Sequence, residues 1–344
     1  MKFLITGANG FVGKQLCAEL LRHGQSVRAA VRTANSPVEN IEVTAVGSMD
    51  GHTDWTHALH SVDVVMHLAA RVHVMKDAAA DPLAEFRKVN LHGTANLAQQ
   101  AARAGVKRLV YVSSVKVNGE STLSPPSTRP LVLSAVEGSG QAKPSPRGGG
   151  EQAIFTEADI PSPHDPYAVS KLEAEQALHR VAQETGLEVV VIRPPLVYGP
   201  GVKGNFAQML AVVALGIPLP LASVRNQRSL LYVGNLVDAL IVCATHLSAA
   251  GQTYLVSDGA DISTPDLLRR LAVAMEVPPR LFPCQPSLLR LAGKLSGKSE
   301  QIERLLGSLQ VDSDKIRRDL NWQPPYSLQQ GLQATADWYR NTRP

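Results

Sequence analysis

The sequence predicts an α/β fold: a doubly wound parallel sheet joined to a smaller mixed C-terminal lobe. Three observations predict it. Short apolar runs alternate with amphipathic stretches through the first two-thirds of the chain. The runs are β-branched and nearly continuous, as strands covered on both faces are. After Tyr198 the alternation gives way to Gly and Pro turns with shorter helices. At 344 residues and 44% hydrophobic content, the chain has core enough for one large domain and a smaller partner.

In order, the strand candidates are KFLIT, QSVRAAV, VDVVMHLAA, KRLVYVSS and LEVVVIRP. Between them stand VGKQLCAELLRHG, PLAEFRKVNLHGTANLAQQAARAG and YAVSKLEAEQALHRVAQETG, whose apolar residues recur at helical spacing. VGNLVDALIVCATHL reads as a helix packing back on the sheet, and SLQQGLQATADWYRN as the last clear helix. These elements divide the chain into a larger domain, residues 1–198 and 230–258, and a smaller lobe, residues 199–229 and 259–344. One segment breaks the pattern. Between Ser121 and Gly150, 16 of 30 residues are Ser, Pro or Gly and none is aromatic, which reads as a disordered, passive insert rather than a lid.

Composition excludes several classes. The net charge of +4 is scattered, with no run denser than Arg269-Arg270 or Arg317-Arg318, so no nucleic-acid track is expected. Cys17, Cys243 and Cys284 are odd in number and lack ligand spacing, so neither a disulfide framework nor a metal site is expected. No apolar run approaches the roughly 18 residues of a membrane span, so no membrane insertion is expected. MKFLITG enters a strand at once, which makes a cytoplasmic chain the expectation.

GANGFVG follows the first strand and opens the first helix. Gly7, Gly10 and Gly13 allow a tight turn, close approach of a pyrophosphate, and close packing of helix on strand, the Rossmann fingerprint for a dinucleotide. The second strand ends in Val31-Arg32, with no acidic residue to bind ribose hydroxyls. Arg32 therefore points toward NADP(H) over NAD(H). Ser48 and Met49, after the third strand, are expected at the adenine edge. Tyr167 and Lys171 lie four apart where a helix opens, on one face and within reach of one ligand. The Ser113-Ser114 pair ends an earlier strand.

Together with HLAA at 67–70, Asn90 in VNLHGT, RPPLVYGPG at 193–201 and RSLLYVGNLVDA at 228–239, these residues resemble the extended short-chain dehydrogenase/reductase family in its nucleotide-sugar epimerase/dehydratase branch. The resemblance covers nearly the whole chain. It implies a catalytic triad of Ser114, Tyr167 and Lys171 with Asn90 in support. It also implies a cofactor cleft lined by Phe11, Val12, Leu68, Ala69, Ala70 and Pro194, and substrate contacts from Asn205, Phe206 and Arg228, the last clamping a diphosphate. Lys171 is expected to hold the nicotinamide ribose and, with the charged ring, to stabilise the Tyr167 anion.

Dehydratases of this branch carry Asp-Glu directly after the catalytic Ser or Thr, whereas this chain has Val115-Lys116. The resemblance then implies hydride transfer at C4 of a nucleotide-activated hexose, as in UDP-sugar enzymes that make cell-surface polysaccharide precursors, by a 4-epimerase or a 4-ketoreductase, and Arg32 leans toward the reductase. Two alternatives stand beside it: an NADPH-dependent reductase of a small ketone resembling dihydroflavonol reductases, and a non-catalytic NADP(H) sensor. A homodimer through the helices bearing Asn90 and Tyr167 is the expected assembly.

Overall fold

The computed structural model describes residues 1–33, 41–72, 81–121 and 154–342. All of the expected insert except Ser121 lies outside them. Nine strands are named here: β1 (Lys2–Thr6), β2 (Ser26–Val31), β3 (Glu42–Ala45), β4 (Val64–His67), β5 (Arg108–Val112), β6 (Glu188–Arg193), β7 (Leu196–Tyr198), β8 (Leu230–Tyr232) and β9 (Thr253–Leu255). Seven form one sheet in the order β3-β2-β1-β4-β5-β6-β9, with β7 and β8 paired separately. Every pairing is parallel.

Parallel neighbours need crossovers, and the helices that make them cover both faces of the sheet. On one face Phe3, Ile5, Leu16, Leu20 and Leu240 pack together; on the other, Leu4, Val65, Leu97, Tyr111 and Leu178. The strands are apolar on both sides because both sides are buried, which is why their sequences lack alternation. A further core gathers Tyr198, Phe206, Leu210, Leu230, Leu271, Leu332 and Tyr339 under the C-terminal helices. Ile316, Leu320 and Trp322, late in the chain, join the core of the sheet instead.

The long stretch read as one helix after residue 81 is a composite of Pro82–Phe86, a π-helical segment Arg87–Gly93, and Thr94–Arg103. The wider turn occurs around Asn90, and such bulges occur preferentially at functional sites. The helix Leu328–Thr342 matches the last predicted one. No described helix is long and apolar enough to cross a membrane.

Candidate active site

The sheet order reverses between β1 and β4, and in such sheets ligands occupy the crevice beyond the carboxyl ends of the strands there. Gly7 follows β1 with φ +70°, and a side chain on it would press within 2.9 Å of the Ala69 backbone nitrogen. Gly13 is more confined: a Cβ would lie 2.2 Å from the Gly7 carbonyl oxygen. Gly10 precedes the helix Phe11–Arg22, which has no side-chain cap and no acidic residue in its first turn, so its leading N–H groups remain available to an anion. Val12 packs into the core of the sheet and Phe11 into the core of the second lobe, so this turn joins the two.

The opposite wall is tied to the same turn. Leu68 and Ala69 donate their backbone N–H groups to Thr6 Oγ1 at 3.2 and 3.0 Å, and Ala70 follows half-buried. Thr6 Oγ1 also lies 2.7 Å from His67 Nδ1, and His67 Nε2 lies 2.9 Å from Thr94 Oγ1. Burial, with the Lys171 charge adding to it, pushes the His67 imidazole down to about 3, so it is neutral at physiological pH. A hydroxyl accepting two N–H groups has its proton left to donate to Nδ1. The network thus assigns the Nε2–H tautomer, which donates to Thr94. Thr6, His67 and Thr94 drew no role from the sequence, although HLAA begins at His67 and VNLHGT ends at Thr94. Arg32 is exposed just beyond β2, Ser48 is exposed and Met49 half-buried, its side chain against Gly93.

The helix Pro166–Thr185 begins with Asp165 as N-cap, accepting from the Ala168 N–H at 2.7 Å, and Pro166 in its first turn. Lys171 is only 2% exposed. Its Nζ donates to the Val112 carbonyl at 2.7 Å and stands 4.5 Å from the Tyr111 ring centre and 5.9 Å from that of Tyr167. Two ties therefore clamp the opening of this helix to the end of β5: Lys171 to Val112, and an ion pair of Lys116 with Asp165. Ser114 lies between them, its Oγ accepting from the Lys116 N–H at 3.2 Å. Tyr167 is half-buried, packs edge-on against Phe86, and its hydroxyl has no hydrogen-bond partner among the described residues. Asn90 is buried and bridges two elements: its Oδ1 accepts from the Arg71 N–H at 2.8 Å and its Nδ2 donates to Ser170 Oγ at 3.0 Å. Pro194 is buried, its carbonyl accepting from the Val115 N–H at 3.0 Å.

The protein groups alone favour the neutral phenol. Burial, reinforced by Asp165, pushes the Tyr167 hydroxyl above its usual range. Burial instead pulls Lys171 down to about 7, although Glu175 acts to raise it. The cost of desolvating an ammonium falls on the lysine, and at neutral pH its own charge is only partly retained.

The second lobe corrects one expected contact. Phe206 is wholly buried and stacked on Tyr198 at 5.4 Å, so its side chain is core and not a ligand contact. Arg228 is not an outward fork. It is half-buried, with Nη1 donating to the carbonyls of Arg304 at 2.5 Å and Gly307 at 3.2 Å, at the end of the helix Ser299–Leu306. Burial, with the nearby Arg304 charge, lowers its pKa. Asn205 is exposed. No metal-ligand cluster exists among the described residues.

A parallel sheet with a glycine cradle at its switch point, facing a helix with a buried lysine one turn after a tyrosine, defines a dinucleotide-binding protein of the Rossmann class. The chain belongs to the NAD dependent epimerase/dehydratase family, whose sequence pattern matches residues 3–257. It is 42% identical, over 97% of its length and 94% of the relative's, to a UDP-glucose 4-epimerase of Vibrio cholerae. It is 24% identical, over 97% of its length and 94% of the relative's, to an N-acetyl-alpha-D-glucosaminyl-diphospho-ditrans,octacis-undecaprenol 4-epimerase of Escherichia coli O157:H7. Among solved structures, a UDP-N-acetylglucosamine 4-epimerase from Bacillus cereus superposes with a TM-score of 0.74 at 18% identity, covering 99% of each chain. These findings make the protein an NAD-dependent enzyme of epimerase/dehydratase type.

Proposed function

We propose that this enzyme interconverts the C4 epimers of a nucleoside-diphosphate hexose, a UDP-sugar, with Tyr167, Ser114 and Lys171 as its chemical groups. The observation that carries the reading is Lys171: a buried ammonium with one of its three donors on Val112 and the Tyr167 ring 5.9 Å away. A chain bears the cost of such a charge where a ligand completes its bonding. The residues fit a dinucleotide: the turn at Gly7 and Gly13 packs its backbone too closely for any side chain, and the helix it opens leaves its leading N–H groups uncapped for an anion. Gly10, Phe11, Val12, Leu68, Ala69, Ala70 and Pro194 would complete the cleft. The bound nicotinamide supplies the hydride acceptor and donor at C4.

Tyr167 takes the proton of the C4 hydroxyl as the carbon is oxidised and returns it when the ketone is reduced on its other face. Ser114 hydrogen-bonds the same oxygen. Because the phenol is pushed up in the free fold, it acts as a base only once the cations of the loaded site favour its anion. Lys171, fixed by Val112, would hold the nicotinamide ribose. Asn90 touches no reacting atom in this scheme; it holds the helix through Ser170. Arg228 and Asn205 would meet the nucleotide diphosphate, with Arg228 turning from its helix carbonyls to do so.

The reductase alternative rests on Arg32 alone, which is exposed and hydrogen-bonds nothing among the described residues. The epimerase relative spanning 97% of the chain favours epimerisation. The division into a dinucleotide domain and a substrate lobe, and a homodimer through the helices of Asn90 and Tyr167, belong to the same proposal. The test is incubation with UDP-glucose, UDP-N-acetylglucosamine and UDP-glucuronate without added reductant, followed by NMR of C4 stereochemistry and identification of the released dinucleotide. Epimer formation with bound NAD is expected. Net NADPH oxidation without epimer would replace this reading with the reductase.

A further inference from the structure

Behind the proposed triad lies a closed polar network that the scheme above does not use. Glu175 is 2% exposed and Arg193 6%. Arg193 Nε and Nη2 grip the Glu175 carboxylate at 3.0 and 2.5 Å, and Nη1 donates to Asn118 Oδ1 at 3.1 Å. Ser113 Oγ donates to Glu175 Oε1 at 2.5 Å. Three of its members adjoin residues of the site. Glu175 is one helical turn beyond Lys171, Ser113 precedes Ser114, and Arg193 precedes Pro194. The Ser113 N–H also donates to Ile192 O at 2.7 Å, so the network cross-links the ends of β5 and β6 with the helix Pro166–Thr185.

A buried ion pair contributes little stability over apolar packing, because the desolvation of both charges offsets their attraction. Its value lies in what it fixes. We infer that Glu175, locked by Arg193, is a positioning residue that sets where the Lys171 ammonium and the Ser114 hydroxyl stand; this rests on the catalytic reading of Tyr167 and Lys171. Ser114 has extended backbone, φ −158° and ψ 146°, so its side chain points away from that of Ser113. Anchoring the Ser113 hydroxyl on Glu175 thereby aims Ser114 to the opposite side.

Charge works in the same direction. The groups facing Lys171 are Tyr167 and Glu175 on its own helix, Tyr111 on β5 and the neutral His67 on β4. Glu175 is the carboxylate among them, and its field opposes the burial that strips the ammonium of its proton. Removing that charge lets Lys171 deprotonate at lower pH.

The experiment compares kcat–pH profiles of wild type, E175Q, E175D and the double variant E175L/R193M. The double variant replaces the pair by apolar groups and guards against misfolding of the single ones. In E175Q and the double variant the alkaline limb moves down by about one pH unit, which is about a tenfold loss of kcat on that limb. KM for the sugar nucleotide stays within about twofold, since uniform binding is untouched. E175D retains the carboxylate, so its limb stays at the wild-type position even if its amplitude falls. Profiles of unchanged shape in both E175Q and the double variant would overturn the inference and leave the pair a structural link. Y167F separates the two readings: if it turns over normally the catalytic reading fails, whereas an inactive Y167F beside a wild-type-like E175Q profile refutes only the role of Glu175.

Discussion

Replacing Lys171 by Met should make the free protein more stable in mild acid and less stable in mild alkali. Burial lowers the lysine from 10.5 to about 7. Between those values the unfolded chain holds a proton that the folded chain has released, so wild-type stability rises with pH across the interval, by about 1.4 kcal/mol per unit. Below pH 7 both states are protonated and the folded state bears the whole penalty, roughly 4–5 kcal/mol. Methionine has nearly the same length and no charge, so it removes the penalty. It also removes the donor to the Val112 carbonyl, which lies 2.7 Å from Nζ, and an unsatisfied buried acceptor costs about 1–3 kcal/mol. The difference leaves K171M about 1–4 kcal/mol more stable at pH 6. Near pH 10 the titration contribution has fallen to about 1 kcal/mol or less and the lost hydrogen bond wins. Urea unfolding of dinucleotide-stripped wild type and K171M from pH 6 to 10 reads this directly, because every other titrating group is common to both proteins. A stability gap that does not change with pH, or a wild type more stable at pH 6, would refute the burial of a titrating ammonium. K171M should be inactive at every pH.

Other consequences follow from the same geometry. Y167F should lower turnover at least about 1,000-fold, consistent with loss of a general base and its oriented hydrogen bond, while equilibrium dialysis finds NAD binding nearly unchanged. G13A places a methyl 2.2 Å from the Gly7 carbonyl; the turn must shift, at about 1–3 kcal/mol of stability, and NAD affinity measured by calorimetry should fall with it. N90A removes a buried amide that bonds the Arg71 backbone and Ser170, so Tm and kcat should both drop while KM for the sugar nucleotide holds. R228M should raise that KM about 10- to 100-fold, the worth of a charge-assisted hydrogen bond, with kcat little changed; an unaltered KM would mean that Arg228 serves only as a cap for the helix Ser299–Leu306.

Much of the site was legible because its signals are local. Gly7, Gly10 and Gly13 lie within one turn and one helix start, so their spacing carries their geometry. Tyr167 and Lys171 share a face by helical period alone. The alternation of apolar runs and amphipathic stretches predicted the parallel sheet because strands buried on both faces must be apolar throughout. The partners that meet across the sheet were illegible. Glu175 and Arg193 are 18 positions apart, and Ser113 and Glu175 62; a lone glutamate on a helix looks like a solvated residue until β5 and β6 are laid beneath it. Thr6 and His67 likewise meet because β1 and β4 are neighbours, and Thr94 joins them from the start of the helix Thr94–Arg103.

Phe206 and Arg228 mark the same boundary from the other side. Their place in a motif did not reveal that one side chain is swallowed by the second core and the other held on helix carbonyls. The linear order of residues was thus enough to name the fold class, the glycine cradle and the phenol–ammonium pair, since each depends on spacing within a few residues. Which of those two groups bears the cost of burial, and what braces it, depended on distant segments closing over them. Desolvation is a property of the surroundings, and the surroundings of Lys171 exist only once β4, β5 and its helix are packed together.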